Sequence, residues 1–570
     1  MNNSAQFYLI VLAFFILILN CENSRSIIAK AGKKEIKSSE FRELLIEKHP
    51  RKSLSEIAVT DREKVLSELI DEKLKVQKAE ALALNENPDY VKETTLMENR
   101  HLVTTLTNKL VIEKFVDDEM VQSNFNLNQF QMKVELIALG YDSSLIENTY
   151  RTEEQAITLV KDLSRRIKNG EEFAEISAIF SDDPKTKQKK GLYDPYTPGT
   201  FYPELDIELN KAKPNRLEGP IITDQGIFIA RVLEKKEKDK SGNFEKEKEK
   251  IRRQIFNKFY RNEGIKLYNN LTEEFKEMVD WQISDEGIRN FLTAIKEWSK
   301  NDNPRDDQFT ESQKAILLGK VDEMDITAGA FIAEFQGNFA RAYPRYNNES
   351  EMKKIVGRFI DQHLVWLIMA KKRDLHKQPD VKEKLYQMRE SKLIEQFDKY
   401  QIREKAIPTD EEITNYYEEN ISIYSEPKKI EIWEIAVKDS NLAEEIYQKI
   451  QHQKANFQSL AAKYTEKSHM KKSKGYLGYQ SIKSPREVIK KAFEAEENQI
   501  IAPTKENKYF YILKTGKIQP ESPKDFEEVK IQVTAAAQRD KENKMRESVS
   551  QTLRQEYKVW INESLLKKIL

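Results

Sequence analysis

The sequence predicts an α+β, helix-rich protein built as two tandem copies of one unit, each a helical region followed by a small α+β module. Three observations carry this. Shifting the chain by 290 positions superimposes Lys30 on Lys320, Ile36 on Ile326, Phe41 on Phe331, Ile70 on Ile360, Asp71 on Asp361 and Leu74 on Leu364, and brings Val91-Lys92-Glu93 onto Val381-Lys382-Glu383. Matches at a constant offset mark a duplication. Further on the offset drifts to 284, pairing Phe173 with Phe457 and Gly191 with Gly475, and then to 283, pairing Pro220 with Pro503 and Ile229 with Ile512. Within each copy the apolar period changes from helical to alternating. Composition agrees: 17 Gly in 570 residues and 33% charged side chains suit solvated helices over thin cores, while 26 Phe and 23 Tyr exclude wholesale disorder.

The elements follow in order. Phe7 to Leu19 is an apolar run of thirteen residues, short for a membrane span but suited to the hydrophobic region of a secretory signal. Ile18-Leu19-Asn20-Cys21 ends it, and this resembles the lipobox of bacterial lipoproteins, in which the Cys, here Cys21, becomes lipidated. Residues 1–21 are read as that signal; a plain signal peptide or an uncleaved anchor is the alternative. Val65, Leu66, Leu69, Ile70 and Leu74 form one helical stripe in 27–130, as do Val356, Phe359, Ile360, Leu364, Leu367 and Ile368 in 317–428. Alternation at 133–139 and 429–437 predicts the first strands of two modules, 131–236 and 429–516. In the first module Thr152 and Gln155 form a capping box, Ala156, Leu159, Val160, Leu163 and Ile167 a helix face, and Gly170 a stop. A second short helix at 173–180, a loop at Gly191 and a hairpin near Asp224-Gln225-Gly226 complete it. Charged helices close each copy, within 237–299 and 517–570. The polar stretch 300–307 offers nothing to a core, and 300–316 is assigned as a linker.

Composition also excludes functions. Ninety-five Lys+Arg balance 95 Asp+Glu, against a protein that grips nucleic acid. One Cys excludes a disulfide framework and Cys-rich zinc sites. The sequence holds neither a Gly-rich phosphate loop nor His/Asp residues at metal spacing, so no cofactor and no metal are expected. Lys187–Lys190 and Lys471–Lys474 lie in corresponding loops, read as solvated, with anionic lipid heads or acidic clients as the other possibility.

These residues resemble the SurA/PrsA/PpiD type of extracytoplasmic parvulin foldase. Ile28-Ala29-Lys30-Ala31-Gly32-Lys33-Lys34-Glu35-Ile36 is similar to the family's opening strand, Leu69-Ile70-Asp71-Glu72-Lys73-Leu74 to its long helix, and both recur in the second copy. Phe173-Ala174-Glu175-Ile176 with Phe180-Ser181-Asp182-Asp183-Pro184, Lys474-Gly475-Tyr476-Leu477-Gly478-Tyr479, and Gly226-Ile227-Phe228-Ile229-Ala230-Arg231-Val232 resemble successive parvulin phrases. The resemblance implies a helical chaperone domain with a parvulin domain inserted in each copy, and implies that the charged segment ending each copy returns to that copy's own N-terminal helices.

The family places a His on the first strand and another on the last, with a Cys or Asp nearby. Here those strand positions are Leu136 and Phe228 in the first module and Glu434 and Tyr511 in the second, and the six histidines lie elsewhere. Isomerisation of an X-Pro bond crosses a barrier of about 18–20 kcal/mol, and an apolar pocket that excludes water can lower it without a nucleophile. Leu477, Tyr479, Phe493 and Tyr511 are the candidates to line such a groove in the second module; ordinary core is the alternative. The resemblance therefore implies a periplasmic or otherwise extracytoplasmic, ATP-independent holdase for unfolded exported or outer-membrane proteins, lipid-anchored to a membrane, with weak or absent prolyl isomerase activity. Apolar patches in a cradle between helical and parvulin lobes would bind extended segments, and duplication would add avidity. An active isomerase and a structural subunit of an envelope assembly are the alternatives. No nucleic-acid partner is expected, and the oligomeric state is open.

Overall fold

The computed structural model describes residues 26–50, 52–146, 148, 150–238, 243–301 and 303–568. The apolar run at 7–19 and the expected lipidation of Cys21 lie outside the described residues. The strands in chain order are β1 (Ile27–Ala31), β2 (Lys34–Lys37), β3 (Phe130–Leu139), β4 (Leu192–Tyr196), β5 (Leu217–Thr223), β6 (Gly226–Glu237), β7 (Trp281–Ile283), β8 (Leu317–Val321) and β9 (Met324–Thr327). They continue as β10 (Ser425–Glu426), β11 (Lys429–Val437), β12 (Tyr476–Ser481), β13 (Ile500–Glu506), β14 (Tyr509–Gln519), β15 (Ser522–Pro523) and β16 (Val559–Ile561). Helices make up most of the rest, so the class is α+β and helix-rich, as expected.

Each module is an antiparallel four-stranded sheet, ordered β4-β3-β6-β5 in the first and β12-β11-β14-β13 in the second. Strand alternation sorts the side chains to two faces. Met132, Val134, Leu136 and Ala138 pack with Leu205 and Leu209 of the helix Pro203–Lys211. Ile137 and Leu139 face the helices Glu153–Lys168 and Phe173–Phe180. Ile430, Ile432 and Ala436 are divided in the same way from Ile435 and Val437. The Thr152–Gln155 capping box opens the helix Glu153–Lys168, and the turn Asp224–Gln225 joins β5 to β6.

The chain folds as two compact units, one reaching to Phe397 and taking up the stretch from Leu553, the other Asp398–Thr552. In the first unit the copies exchange strands. β16, from the end of copy 2, pairs with β1, setting Ala29, Lys30 and Ala31 against Ile561, Trp560 and Val559. β7, from the end of copy 1, pairs with β8, setting Gly319, Lys320 and Val321 against Ile283, Gln282 and Trp281. A shift of 290 carries β1 onto β8 and a shift of 278 carries β7 onto β16 with the same pairing, so each copy is closed by its sibling.

This corrects the expected return of segment 237–299 to its own copy. Its first part does so, with Ile251 and Ile255 of the helix Phe244–Ile255 packed on Val116, Val121 and Phe125 and Tyr260 stacked on Phe115 at 5.8 Å. The helix Asp285–Trp298 instead buries Phe291 and Trp298 among Phe309, Phe331 and Phe339 of copy 2. The reason lies in the repeat: β1 and β8 offer equivalent edges, and aromatic packing of the helix that follows β7 selects β8.

The linker assignment of 300–316 is also corrected. Phe309 is 2% exposed and stacks on Trp298 at 4.6 Å, whose indole N–H donates to the Arg305 carbonyl at 2.8 Å. Asp306 accepts from the Phe339 and Ala340 amides. One aromatic residue among polar ones anchors the segment.

Candidate functional site

The centre of each module lies where the first strand passes a glycine. Leu136 N–H donates to the Gly191 carbonyl at 2.9 Å, and Glu434 N–H to the Gly475 carbonyl at 2.7 Å. Both glycines have positive φ, +83° and +85°, and a Cβ at either would come within 3.0 Å of strand or helix atoms. Ahead of each glycine runs one short helix, Pro184–Gln188 or Ser468–Lys472, where loops of lysines were expected. Their N-cap residues are Asp183 and Lys467, opposite in charge.

In the first module the centre is filled. Leu136 and Phe228 are fully buried; Phe228 lies 5.1 Å from Phe201, and Phe201 5.6 Å from Tyr193. Asp183 is spent as a cap, accepting from the Thr186 amide at 2.7 Å. Nearby, Asp206 accepts from Tyr196 Oη at 2.7 Å, the Gly199 amide at 2.7 Å and Asn124 Nδ2 at 3.1 Å. Burial outweighs these bonds and pushes its carboxyl up to about 6. Asn124 belongs to the helix Asp118–Asn128, so the network ties the module to the helical region of its own copy.

In the second module the same centre is an ion cluster. Glu434 is fully buried, 2.8 Å from Lys467 Nζ and 2.9 Å from Arg486 Nη2. The second approach is not aligned as a hydrogen bond, leaving Glu434 Oε2 and Arg486 Nη2 buried without a directed partner. Arg486 Nε also meets Glu506 at 3.2 Å. Burial alone would push the Arg486 guanidinium down, but Glu434 and then Glu506 hold it above its ordinary value. Both cations lie over the Tyr511 ring, 4.6 Å away for Lys467 and 4.8 Å for Arg486.

Of the four candidates for the groove, Leu477, Phe493 and Tyr511 share one apolar cluster with Val488 and Ile489. Tyr479 is exposed on β12, opposite Glu431. Sequence reasoning missed Lys467, Arg486, Glu506 and Asp206. For Lys467 a signal was present, since the offset of 284 places it on Asp183. All six histidines sit on helices or at helix ends.

The helical part of the first unit repeats one cleft with different chemistry. Lys34, Glu40, Lys73, Glu383 and Tyr386 line a charged cavity of about 560 Å³, where Lys73 bridges Glu390 at 2.6 Å and Glu40 at 2.7 Å. A shift of 290 turns Lys73 and Glu390 into His363 and Arg100. These line an apolar cleft with Leu96, Val103, Met324 and Phe359, continued by Phe331, Phe335 and Ile355. Here Glu334 receives Arg100 at 3.4 Å. Burial holds the His363 imidazole below its ordinary value, partly opposed by Glu334.

Family models described as PPIC-type PPIase domains match residues 117–236 and 408–530. Foldase protein PrsA 4 of Bacillus cereus is 22% identical over 281 residues, 48% of this chain and 92% of the relative. Chaperone SurA of Pseudomonas savastanoi is 32% identical over 89 residues, 16% of this chain and 21% of that protein. A solved structure described as one of two SurA-like chaperones of Campylobacter jejuni, PEB4 and Cj1289, is 20% identical, with a TM-score of 0.31, covering 43% of this chain and all of its own.

Proposed function

We propose, from the premise that this chain carries two PPIC-type PPIase domains in tandem and is homologous to the PrsA and SurA foldases, that it is an ATP-independent extracytoplasmic chaperone for unfolded exported proteins, outer-membrane proteins among them. Its PPIase domains hold rather than turn over proline bonds. The observation that carries this reading is the state of the four strand positions where the family resemblance calls for histidines. Leu136 and Phe228 are closed within an aromatic core. In the second domain Glu434 is held between Lys467 and Arg486, with Tyr511 beneath both cations. A proline ring needs an apolar, water-free pocket beside groups that favour the twisted amide. The first domain leaves no such pocket at these residues, and the second fills it with charge.

Grip falls to the surfaces that remain: the apolar cleft around Phe359 and His363, and the exposed side chains of the second domain. Several weak contacts on one chain act together through effective concentration, and clients leave by folding, with no nucleotide. The site of action is outside the cytoplasm, with Cys21 as the lipid anchor. Two assays on the intact chain test the reading. Aggregation of a urea-denatured outer-membrane protein should be suppressed near stoichiometric ratios, while Xaa-Pro isomerisation proceeds at the uncatalysed rate. Rapid isomerisation lost in Tyr511→Phe, or aggregation unaffected by the chaperone, would overturn it.

A further inference from the structure

The two PPIase sheets end in four edge strands, β4 and β5 in the first and β12 and β13 in the second. An edge presents unpaired N–H and C=O groups to any extended chain, and proteins blunt such edges with prolines and bulges. Three of the four are blunted in one way. Pro195 of β4, Pro220 of β5 and Pro503 of β13 each sit inside the register shift of their strand, where the ring removes a donor and the bulge bends the edge. β12 has no proline. Its one irregularity lies at Leu477, and beyond it Gly478 to Ser481 run in regular register against Ile432 to Lys429. Among the described residues the Leu477 and Tyr479 carbonyls accept only from the strand's own Gln480 Nε2, at 3.1 and 3.3 Å, a side chain that a partner strand displaces.

The side chains along this edge suit a partner strand. Tyr476 and Tyr479 are 43% and 38% exposed on one face, and Trp433 backs Tyr476 at 5.2 Å. Exposed lysines stand at both ends, Lys471, Lys472 and Lys474 before the strand and Lys483 after it. The nearby Glu431 is engaged by Tyr476 Oη at 3.1 Å.

We infer that the open edge of β12 takes up an extended segment of an unfolded client as an added antiparallel or parallel strand, one that alternates apolar with polar residues and carries acidic residues at its ends. Main-chain hydrogen bonds supply the affinity and are indifferent to sequence, while Tyr476 and Tyr479, on one face of β12, select apolar alternation and the lysines select acidic flanks. The inference deepens the chaperone reading and rests on it, for it names strand-forming segments as the client class.

The test uses the full chain and a fluorescein-labelled ten-residue peptide of alternating Phe/Val and Thr with two Asp at each end. Its twins carry alternate N-methylated amides or Lys ends. The parent should bind and slow amide exchange at 478–481. N-methylation, which leaves the protein untouched, should weaken binding at least tenfold, Lys ends several-fold at low salt, and the exposed substitution Tyr479→Glu several-fold for the acidic parent. Absence of binding, equal affinity of the N-methylated twin, or protection confined to another segment would overturn the assignment. Aggregation suppression is measured alongside. If it persists while the twins bind alike, the edge assignment falls and the chaperone reading stands; if it is absent, the chaperone reading falls, and the peptides still decide the edge.

Discussion

A carboxylate buried on a central strand costs several kcal/mol unless its cations stay in place. Glu434 has two such cations, Lys467 and Arg486, and they share it unequally, because Arg486 retains Glu506 when Glu434 is lost. Glu434→Gln should therefore destabilise the second PPIase domain by about 3 kcal/mol, read as a lower urea midpoint in the fluorescence of Trp433. The double substitution Glu434→Leu with Lys467→Met should recover most of that loss, since an apolar pair of similar volume does not need the charge. A midpoint unchanged in the single variant would show that the cluster does not hold the domain. Asp206 gives a second prediction. Its folded pKa of about 6 lies above an unfolded value of about 3.9, so it favours folding most when protonated. Its contribution is whole below about pH 4 and is lost as pH rises through 6. Relative to Asp206→Asn, the wild type should lose up to about 3 kcal/mol between pH 4 and pH 8, followed through exchange of the Gly199 amide; a constant difference would contradict the shift. The family resemblance, laid on the first and last strands, picked out Leu136, Phe228, Glu434 and Tyr511 in the sequence. Lys467 and Arg486 were not legible, because loops and helix ends bring their partner Glu434 from 33 and 52 residues away. Nor was Asp206, whose partners Tyr196, Gly199 and Asn124 lie 10, 7 and 82 residues away on a strand, a loop and another helix, and no local period records that.

At the scale of elements, periodicity gave the first strand of each module and, in the first, the helices Glu153–Lys168 and Phe173–Phe180, down to the Thr152–Gln155 capping box, but not the helix Pro203–Lys211 or the short helices before Gly191 and Gly475. It did not give the pairing. The repeat that reveals two copies also makes their edges interchangeable, so the sequence alone assigns β7 to either β1 or β8. What decides is packing: Trp298 and Phe291, on the helix after β7, lie among Phe309, Phe331 and Phe339. Phe309→Ala removes a fully buried ring from that cluster and should cost about 3–5 kcal/mol, far more than a substitution in a linker, where about 0.5 kcal/mol is usual. Calorimetry of the intact chain checks it, and a cost within the linker range would restore 300–316 to a tether. At the other junction Arg554 donates to Asp71 at 2.7 Å and to the Ser67 carbonyl at 2.9 Å. Truncation before Leu553 should then speed exchange of the Gly32 amide, which donates to the Lys558 carbonyl at 2.9 Å, by orders of magnitude, because β1 loses β16.

For the whole molecule the exchange of strands means that neither copy of the helical region is complete by itself. The largest apolar cluster draws Leu102, Leu106 and Val111 from copy 1, Phe275, Ile288 and Trp298 from the segment that closes it, and Leu318, Val356, Trp366 and Leu385 from copy 2. Charged contacts cross the same seam: Lys73 to Glu390 at 2.6 Å, with Tyr90 Oη donating to the Arg389 carbonyl at 3.2 Å. A seam of that composition resembles a domain core more than a docking surface, and such interfaces survive loss of the covalent link. Placing a protease site between Asn301 and Pro304 and cutting it should leave two fragments that run as one 1:1 species on size exclusion in dilute buffer and separate only where the helical unit unfolds. If the fragments part without denaturant, the copies are independent domains on a string, and their duplication acts through tethering alone. If they stay together, the duplication supplies one scaffold whose two repeat-related clefts, charged at Lys73 and apolar at His363, are held at a fixed spacing. A long unfolded client could then be met at the apolar cleft and at the open edge of β12, with each weak contact raising the local concentration of the chain at the other.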